Sequence, residues 1–389
     1  MTTMIRKENL KTPLRWAQVG GGKGSQVGCF HRDAAHRDDN YKLVAGAFDI
    51  DAERGLRFGV DELGLDADRC YPDYKTMFDT EAKREDGIQV VSITTPNSTH
   101  YEIARSAIEH NLHVICEKPL TFTAEESLEL KELAKQHNRV FGVTYGYSSY
   151  PTVAQAREMV QRGDIGKIRV IHMQFSHGFH AARVEDNDPG LQWRVTKKAS
   201  GPTYVLGDCG THPLQMARMI TGLEIDKICC MRRSFVGTRE LEDDGHVMVQ
   251  YKGGAYGTLW ASAVAVGHVH NQRIEIIGEK GTLQWWDEHP NQLMYAPINE
   301  PFRPLDRAMS YLYEEARFER IGAGHPEGLY DAWANMYRNM ALAMAAADSD
   351  DQATKASIIY PNIDDAIEGV RFLEACAESA DNESKWVTL

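Results

Sequence analysis

Apolar and polar positions alternate in short bursts along the first part of the chain, and each burst ends in glycine, proline or an acid. Leu14 to Val19 alternates with the period of a strand and runs straight into the glycine-rich segment Gly20 to Gly28, which opens a helical stretch over Val27 to Ala35. A second strand is expected from Tyr41, ending near Asp49. Further strands are expected at Gln89 to Ile93, Leu112 to Cys116 and Val140 to Val143. Between them lie helical patterns at Ala52 to Gly59, Tyr74 to Thr80, His100 to His110 and Ala124 to His137. Strict alternation of strand and helix predicts a parallel sheet covered by helices on both faces. After Tyr147 the pattern changes. A helix over Thr152 to Arg162 is followed by strands in succession, at Lys167 to Ser176, Ile225 to Arg232, Asp244 to Tyr251, Ala255 to Ala265, Gln272 to Ile277 and Gly281 to Trp285. Helices are expected again at Tyr330 to Ala347 and Ile363 to Ala377. The expected fold class is therefore α/β: a Rossmann dinucleotide-binding domain over residues 1–146, whose first 13 residues are a polar leader, then an α+β domain over 147–389 with a large, mostly antiparallel open sheet.

The strand–glycine loop–helix context makes Gly20 to Gly28 readable as a phosphate loop, in which small residues let the backbone approach a pyrophosphate at a helix N-terminus. Gly20 and Gly22 fit the first two positions of Gly-x-Gly-x-x-Gly. Ser25 stands where the third glycine belongs, and Gly28 takes that position after a three-residue insertion. Gly24 and Ser25 complete the loop; a flexible surface turn is the alternative. Asp49, at the end of the second strand, is placed to accept ribose hydroxyls and to repel the extra phosphate of NADP, which favours NAD, although Arg54 nearby leaves NADP open. Thr95, Pro96, Asn97 and His100 follow the third expected strand at the carboxyl edge, where open α/β sheets bind ligands. They line the nicotinamide side or simply cap a helix.

The stretch Val114 to Leu120 ends abruptly in Glu117-Lys118-Pro119. Proline fixes one dihedral and removes a donor, so the turn presents Lys118 from a constrained position at the same edge. Asp208 and His212, four apart in Leu206 to His212, share a face if the helix already includes both. A carboxylate beside an imidazole orients it for proton transfer, whereas the plainer alternative is a capping aspartate and a satisfied histidine.

Composition narrows the partners. The 389 residues are 42% hydrophobic and 25% charged with a formal charge of −13, which argues against nucleic acid or an anionic membrane and for a small molecule. The seven cysteines include no Cys-x-x-Cys pair, and no window approaches the roughly 20 apolar residues of a membrane span. With no apolar core of a signal peptide near the N-terminus, the expectation is a cytoplasmic protein. His172, His177 and His180, like His268 and His270, lack the spacing of a zinc site, so no metal is expected. No Gly-x-Ser-x-Gly elbow points to a serine hydrolase.

As a set these residues resemble the Gfo/Idh/MocA family of glucose-fructose oxidoreductase and inositol dehydrogenase, over nearly the whole chain. The carriers are the glycine loop with Gly28-Cys29-Phe30-His31, Thr95-Pro96-Asn97 with His100, His113 to Leu120, and Asp208, Gly210 and His212. The resemblance implies an NAD- or NADP-dependent enzyme that oxidises a secondary hydroxyl of a cyclic polyol or sugar, an inositol or an aldose. It implies Lys118, Asp208 and His212 as catalytic residues, and the glycine loop, Asp49, Thr95, Pro96, Asn97, His100, Glu117 and Lys118 at the cofactor. It also implies Trp193, Arg194 and His325 beside Lys118, Asp208 and His212 at the substrate. The open sheet of such proteins often joins subunits, so a homodimer or homotetramer is expected. Rival readings are an NAD-dependent glycoside hydrolase that oxidises the ring transiently, or a cofactor-binding sensor. The segment Tyr145-Gly146-Tyr147-Ser148 departs from the family, lacking the Asn and Arg that many members carry there.

Overall fold

The structure, a computed structural model, describes residues 9–389, with only the backbone of Pro189 and Gly190; most of the polar leader lies outside these residues. The chain divides into two compact units. One is built from residues 9–144 together with Trp333–Ile367, the other from Tyr145–Ala332 with Glu368–Leu389. The sequence assigned Trp333–Ile367 to the second domain. Packing carries this segment back to the first, where Tyr337 is fully buried and bonds through its carbonyl to the Tyr41 hydroxyl.

The first unit holds a five-stranded sheet of β1 (Leu14–Gly20), β2 (Tyr41–Ala47), β3 (Val90–Thr94), β4 (His113–Cys116) and β5 (Phe141–Val143), in the order β2-β1-β3-β4-β5 and parallel throughout. Its central strands are apolar runs buried on both faces, as βαβ crossovers require. The carboxyl ends of β1, β3 and β4 therefore deliver the glycine loop, Thr95 and the Glu-Lys-Pro turn to one edge of the sheet.

The second unit is a nine-stranded sheet. Its strands are β6 (Ile168–Ser176), β7 (Ile225–Arg233), β8 (Asp244–Tyr251), β9 (Tyr256–Ser262), β10 (Arg273–Gly278), β11 (Gly281–Trp286), β12 (Gln292–Pro297), β13 (Arg303–Asp306) and β14 (Val387–Thr388). Their order is β13-β12-β11-β10-β6-β9-β8-β7-β14, and only β6 and β9 run parallel. One face packs against the helices Pro151–Gln161, Thr211–Thr221 and the C-terminal helix, through Val153, Met159, Leu214, Met216 and Phe372. On β8 the alternation is plain: Val247 and Val249 are buried, whereas His246 and Met248 face the other side and are exposed. Among the described residues, no helix is long and apolar enough to cross a membrane.

Candidate active site

The glycine loop is shaped by close approach. Gly20 and Gly21 have φ of +76° and +68°, and a Cβ on Gly28 would lie 2.4 Å from the Gly21 carbonyl oxygen. Gly28 thus serves the packing of helix α1 (Gln26–His36) onto the loop, the part expected of a third glycine. Ser25 caps α1, its hydroxyl accepting the Gly28 amide at 3.0 Å. Gly22 passes the Phe48 carbonyl so closely that a Cβ would sit 2.7 Å from it, while Gly24 has open space. Two residues outside the glycine motif positions hold the loop: Gly21 itself, and Arg32, whose guanidinium donates to the Gly21 carbonyl at 2.7 Å and to Gln18 at 2.8 Å. A backbone cradle of this kind, next to the amides at the start of α1, suits a pyrophosphate.

Asp49 follows β2 and is held by Arg54, which donates to both carboxylate oxygens at 2.6 Å. That bond is the main reason its carboxyl lies below the ordinary range. The next turn carries Thr95, Pro96 and Asn97, with the Thr99 hydroxyl donating to the Thr95 hydroxyl at 2.7 Å. His100 differs from the expectation of a cofactor contact. Its ring is fully buried, with Nδ1 3.0 Å from the Pro119 carbonyl and Nε2 2.9 Å from the Thr95 carbonyl. Burial lowers its pKa, and the ring braces the two turns rather than reaching the surface.

The Glu-Lys-Pro turn contains a cis Lys118–Pro119 bond, and Lys118 is half-buried. The Glu117 carboxylate points into the unit. It meets His31 Nε2 at 3.0 Å, accepts the Thr144 hydroxyl, and takes the Lys118 amide at 3.3 Å. His31 bonds in turn to the Tyr337 hydroxyl. Burial opposes ionisation of Glu117, but the bond and charge of His31, with the charge of Lys118 and the Thr144 bond, hold its carboxyl below the usual value. This network ties α1, which carries Gly28, to the backbone of Lys118.

In the second unit Asp208 lies in a π turn, Leu206–Gly210, and His212 in the helix Thr211–Thr221 that follows. Pro213 falls in the first turn, where its missing amide leaves no helical bond unmade, so it does not displace the start. The π turn does break the simple four-residue register read from the sequence. Glu242 pins the approach to it, accepting the Tyr204 and Leu206 amides at 2.8 and 3.2 Å, while Arg232 lies 3.6 Å from its second oxygen.

Arg194, from the turn Trp193–Val195, reaches within 3.9 Å of Asp208 and lies over the Trp193 ring at 5.1 Å. The structure thus groups three of the expected substrate residues. His177 and His180 stand with them, their rings 5.1 Å apart. Burial, then the neighbouring His180, pushes His177 down to about 4, and burial also lowers His180, so both are uncharged near neutrality. The segment between these histidines and Glu185 is anchored by the buried Arg239, which bonds the Ala182 carbonyl at 2.9 Å, Glu185 at 2.9 and 3.0 Å, and Asp243 at 3.1 Å. His325 falls elsewhere. It lines a cleft of about 400 Å³ with His289, Asn291, Gln292 and Asp306, which includes neither Asp208 nor His212. Among the described residues, no group of three or more His, Cys, Asp or Glu is placed to hold a metal.

Comparison with known proteins bears on this arrangement directly. Residues 14–145 match the model of an oxidoreductase family with an NAD-binding Rossmann fold, and residues 153–284 match the GFO/IDH/MocA C-terminal domain. An uncharacterized oxidoreductase of Bacillus subtilis, YfiI, is 49% identical over 383 residues, covering 97% of each chain. The crystal structure of an inositol dehydrogenase homolog from Azotobacter vinelandii complexed with NAD+ superposes with a TM-score of 0.96 at 50% identity, over 98% of this chain and 99% of that one. The same homolog complexed with NADH and myo-inositol gives 0.94 over 99% and 100%. With both halves matched and the glycine loop fitting a dinucleotide, the chain belongs to the Gfo/Idh/MocA family of NAD-binding oxidoreductases.

Proposed function

We propose that the protein is an NAD-dependent dehydrogenase that oxidises a secondary hydroxyl of a cyclic polyol, with inositols as the first substrates and aldoses as the second. The observation that carries this reading is the 50% identity, over essentially the full length of both chains, to a homolog whose structure holds NADH and myo-inositol. In support, Arg194 and Asp208 are paired and His177 and His180 are uncharged, a surface with hydroxyl-binding donors and acceptors and little net charge.

In this reading Gly20, Gly22, Gly24, Ser25 and Gly28 cradle the pyrophosphate, Asp49 accepts the adenosine ribose hydroxyls, and Thr95, Pro96 and Asn97 flank the nicotinamide. Glu117 acts from behind, fixing the Lys118 backbone. The bound cofactor supplies a hydride acceptor. His212 receives the substrate hydroxyl proton on a ring nitrogen, Lys118 Nζ donates a hydrogen bond to the oxygen as charge develops there, and Asp208 accepts from a neighbouring hydroxyl. Trp193 and Arg194 shape the substrate side. The uncovered sheet face, with Met231, Met248 and Tyr256 about half exposed, is the surface through which a dimer or tetramer would form.

The test is formation of reduced cofactor by the purified protein against a panel of inositols, aldoses and glycosides, with NAD+ and NADP+ compared. Reduced NAD accumulating with one polyol is the expected result. Aglycone release without it would move the reading to a glycoside hydrolase, and cofactor binding without turnover on any substrate would move it to a sensor.

A further inference from the structure

The segment that departs from the family, Tyr145 to Ser148, is where the structure has most to add. Tyr147 stands beside His212, ring centroids 5.0 Å apart and edge to face at 84°. Tyr145 and Phe175 complete a cage around the same imidazole, each at 5.8 Å. The cage is fastened from behind. The Tyr147 hydroxyl lies 3.1 Å from His270 Nε2, and His270 Nδ1 is hydrogen-bonded to Asp287 Oδ2. The other oxygen of Asp287 accepts the Gln272 amide at 3.0 Å, which fixes the carboxylate on the backbone leading into β10. His270 also packs against Phe175, centroids 4.5 Å apart.

The direction of this line follows from donor chemistry. A carboxylate only accepts, so His270 Nδ1 carries the proton of that bond, and Nε2 faces the Tyr147 hydroxyl. Burial, then the charge of Asp287, pushes the Tyr147 phenol well above the ordinary value, so the donor is retained. Two of the three rings around His212 are thus held by one histidine, Tyr147 by a hydrogen bond and Phe175 by packing.

We propose that His270, oriented by Asp287, is a positioning residue for His212, holding its imidazole through Tyr147 and Phe175 in the orientation that receives the substrate proton. The proposal rests on the proton-accepting role of His212 given above. Proton transfer depends steeply on distance and alignment, so a loosened cage lowers kcat while the affinity for cofactor stays as it was.

The experiment uses the full chain as wild type, D287N, Y147F, D287N/Y147F and H212Q, with NAD+ and myo-inositol. D287N and Y147F are each expected to lower kcat by about tenfold to a hundredfold, with KM changing less and the Kd for NAD+ unchanged. The double variant is expected to be no worse than the weaker single one, because both break the same line. Histidine-labelled protein supplies a readout that needs no turnover. The ring nitrogen signals of His270 report one tautomer in the wild type and a mixture in D287N, and those of His212 move with them. Wild-type kcat in both single variants alongside an inactive H212Q, or strictly additive losses, overturns the proposal. If H212Q stays active, the reading of His212 fails instead, and the positioning claim is then decided by whether the His212 signals move in D287N.

Discussion

Glu242 offers a test in which the sign, the size and the pH window all follow from one buried carboxyl. It lies behind the segment that leads into the Asp208 turn, almost wholly out of solvent, and burial pushes it up to about 7 from 4.5, against the pull of Arg232 and of the Leu206 and Tyr204 amides. A fold that binds a proton more tightly than the unfolded chain is stabilised where the proton is present. The contribution is therefore complete below about 4.5, is lost as pH rises toward 7, and does not change further above that. Between pH 5 and pH 8 the loss amounts to roughly 2.5 kcal/mol. Glu242→Gln keeps an oxygen for the two amides and removes the titration. Arg232 keeps its bonds to the Pro202 carbonyl and Asp381. The melting temperature of the variant relative to wild type should accordingly rise on going from pH 5 to pH 8, by about 2 to 4 °C per kcal/mol for a unit of this size. Thermal unfolding followed by circular dichroism at the two pH values reads this double difference directly. A gap that is the same at both, or that favours the wild type more at pH 8, would refute the reasoning, since it would mean that the carboxyl is ionised in the fold without penalty.

Lys118→Ala should lower turnover by about 10²- to 10⁴-fold while the Kd for NAD+, from fluorescence titration, stays within a few-fold; retained turnover removes the lysine from the reacting oxygen. Asp49→Ala should weaken NAD+ roughly tenfold relative to NADP+, because a charge-assisted acceptor is lost and Arg54 is released for the extra phosphate. An unchanged ratio would take Asp49 out of the ribose site. Gly28→Ala places a methyl 2.4 Å from the Gly21 carbonyl, so the loop must move and NAD+ binding should fall by at least about tenfold. Wild-type affinity measured by calorimetry would mean that the loop does not hold the pyrophosphate.

What the sequence made legible was local. β1, β3 and β4 are short apolar bursts closed by glycine, threonine and the Glu-Lys-Pro turn, so their period and punctuation survive without knowledge of the partner strands. β12 and β13 went unread because they are largely half-buried or exposed and each contains a proline, which blurs the alternation. The π turn carrying Asp208 has no residue signature, so the sequence leaves open whether the helix of His212 already includes Asp208. The buried charges Arg239 and Glu242 look like surface residues in a sequence, because charged side chains are rarely enclosed. His177 and His180 lack the spacing of a zinc site in the sequence, and only their three-dimensional placement near Arg194 and Asp208 gives them a part.

The return of Trp333–Ile367 to the first unit also sets a timetable during synthesis. β5 leaves the ribosome early, yet its partner groups come last: the Pro361 carbonyl that takes the Val143 amide at 3.0 Å, the bridge from Asn362 to Gly142, and Met340, which fills the space above Gly142. Until nearly the whole chain has emerged, the nascent dinucleotide unit carries a bare strand edge of the kind that pairs with strangers. A fragment ending at residue 146 would keep that edge permanently, so cutting the protein at the sequence boundary should give an aggregating piece rather than a small cofactor-binding domain.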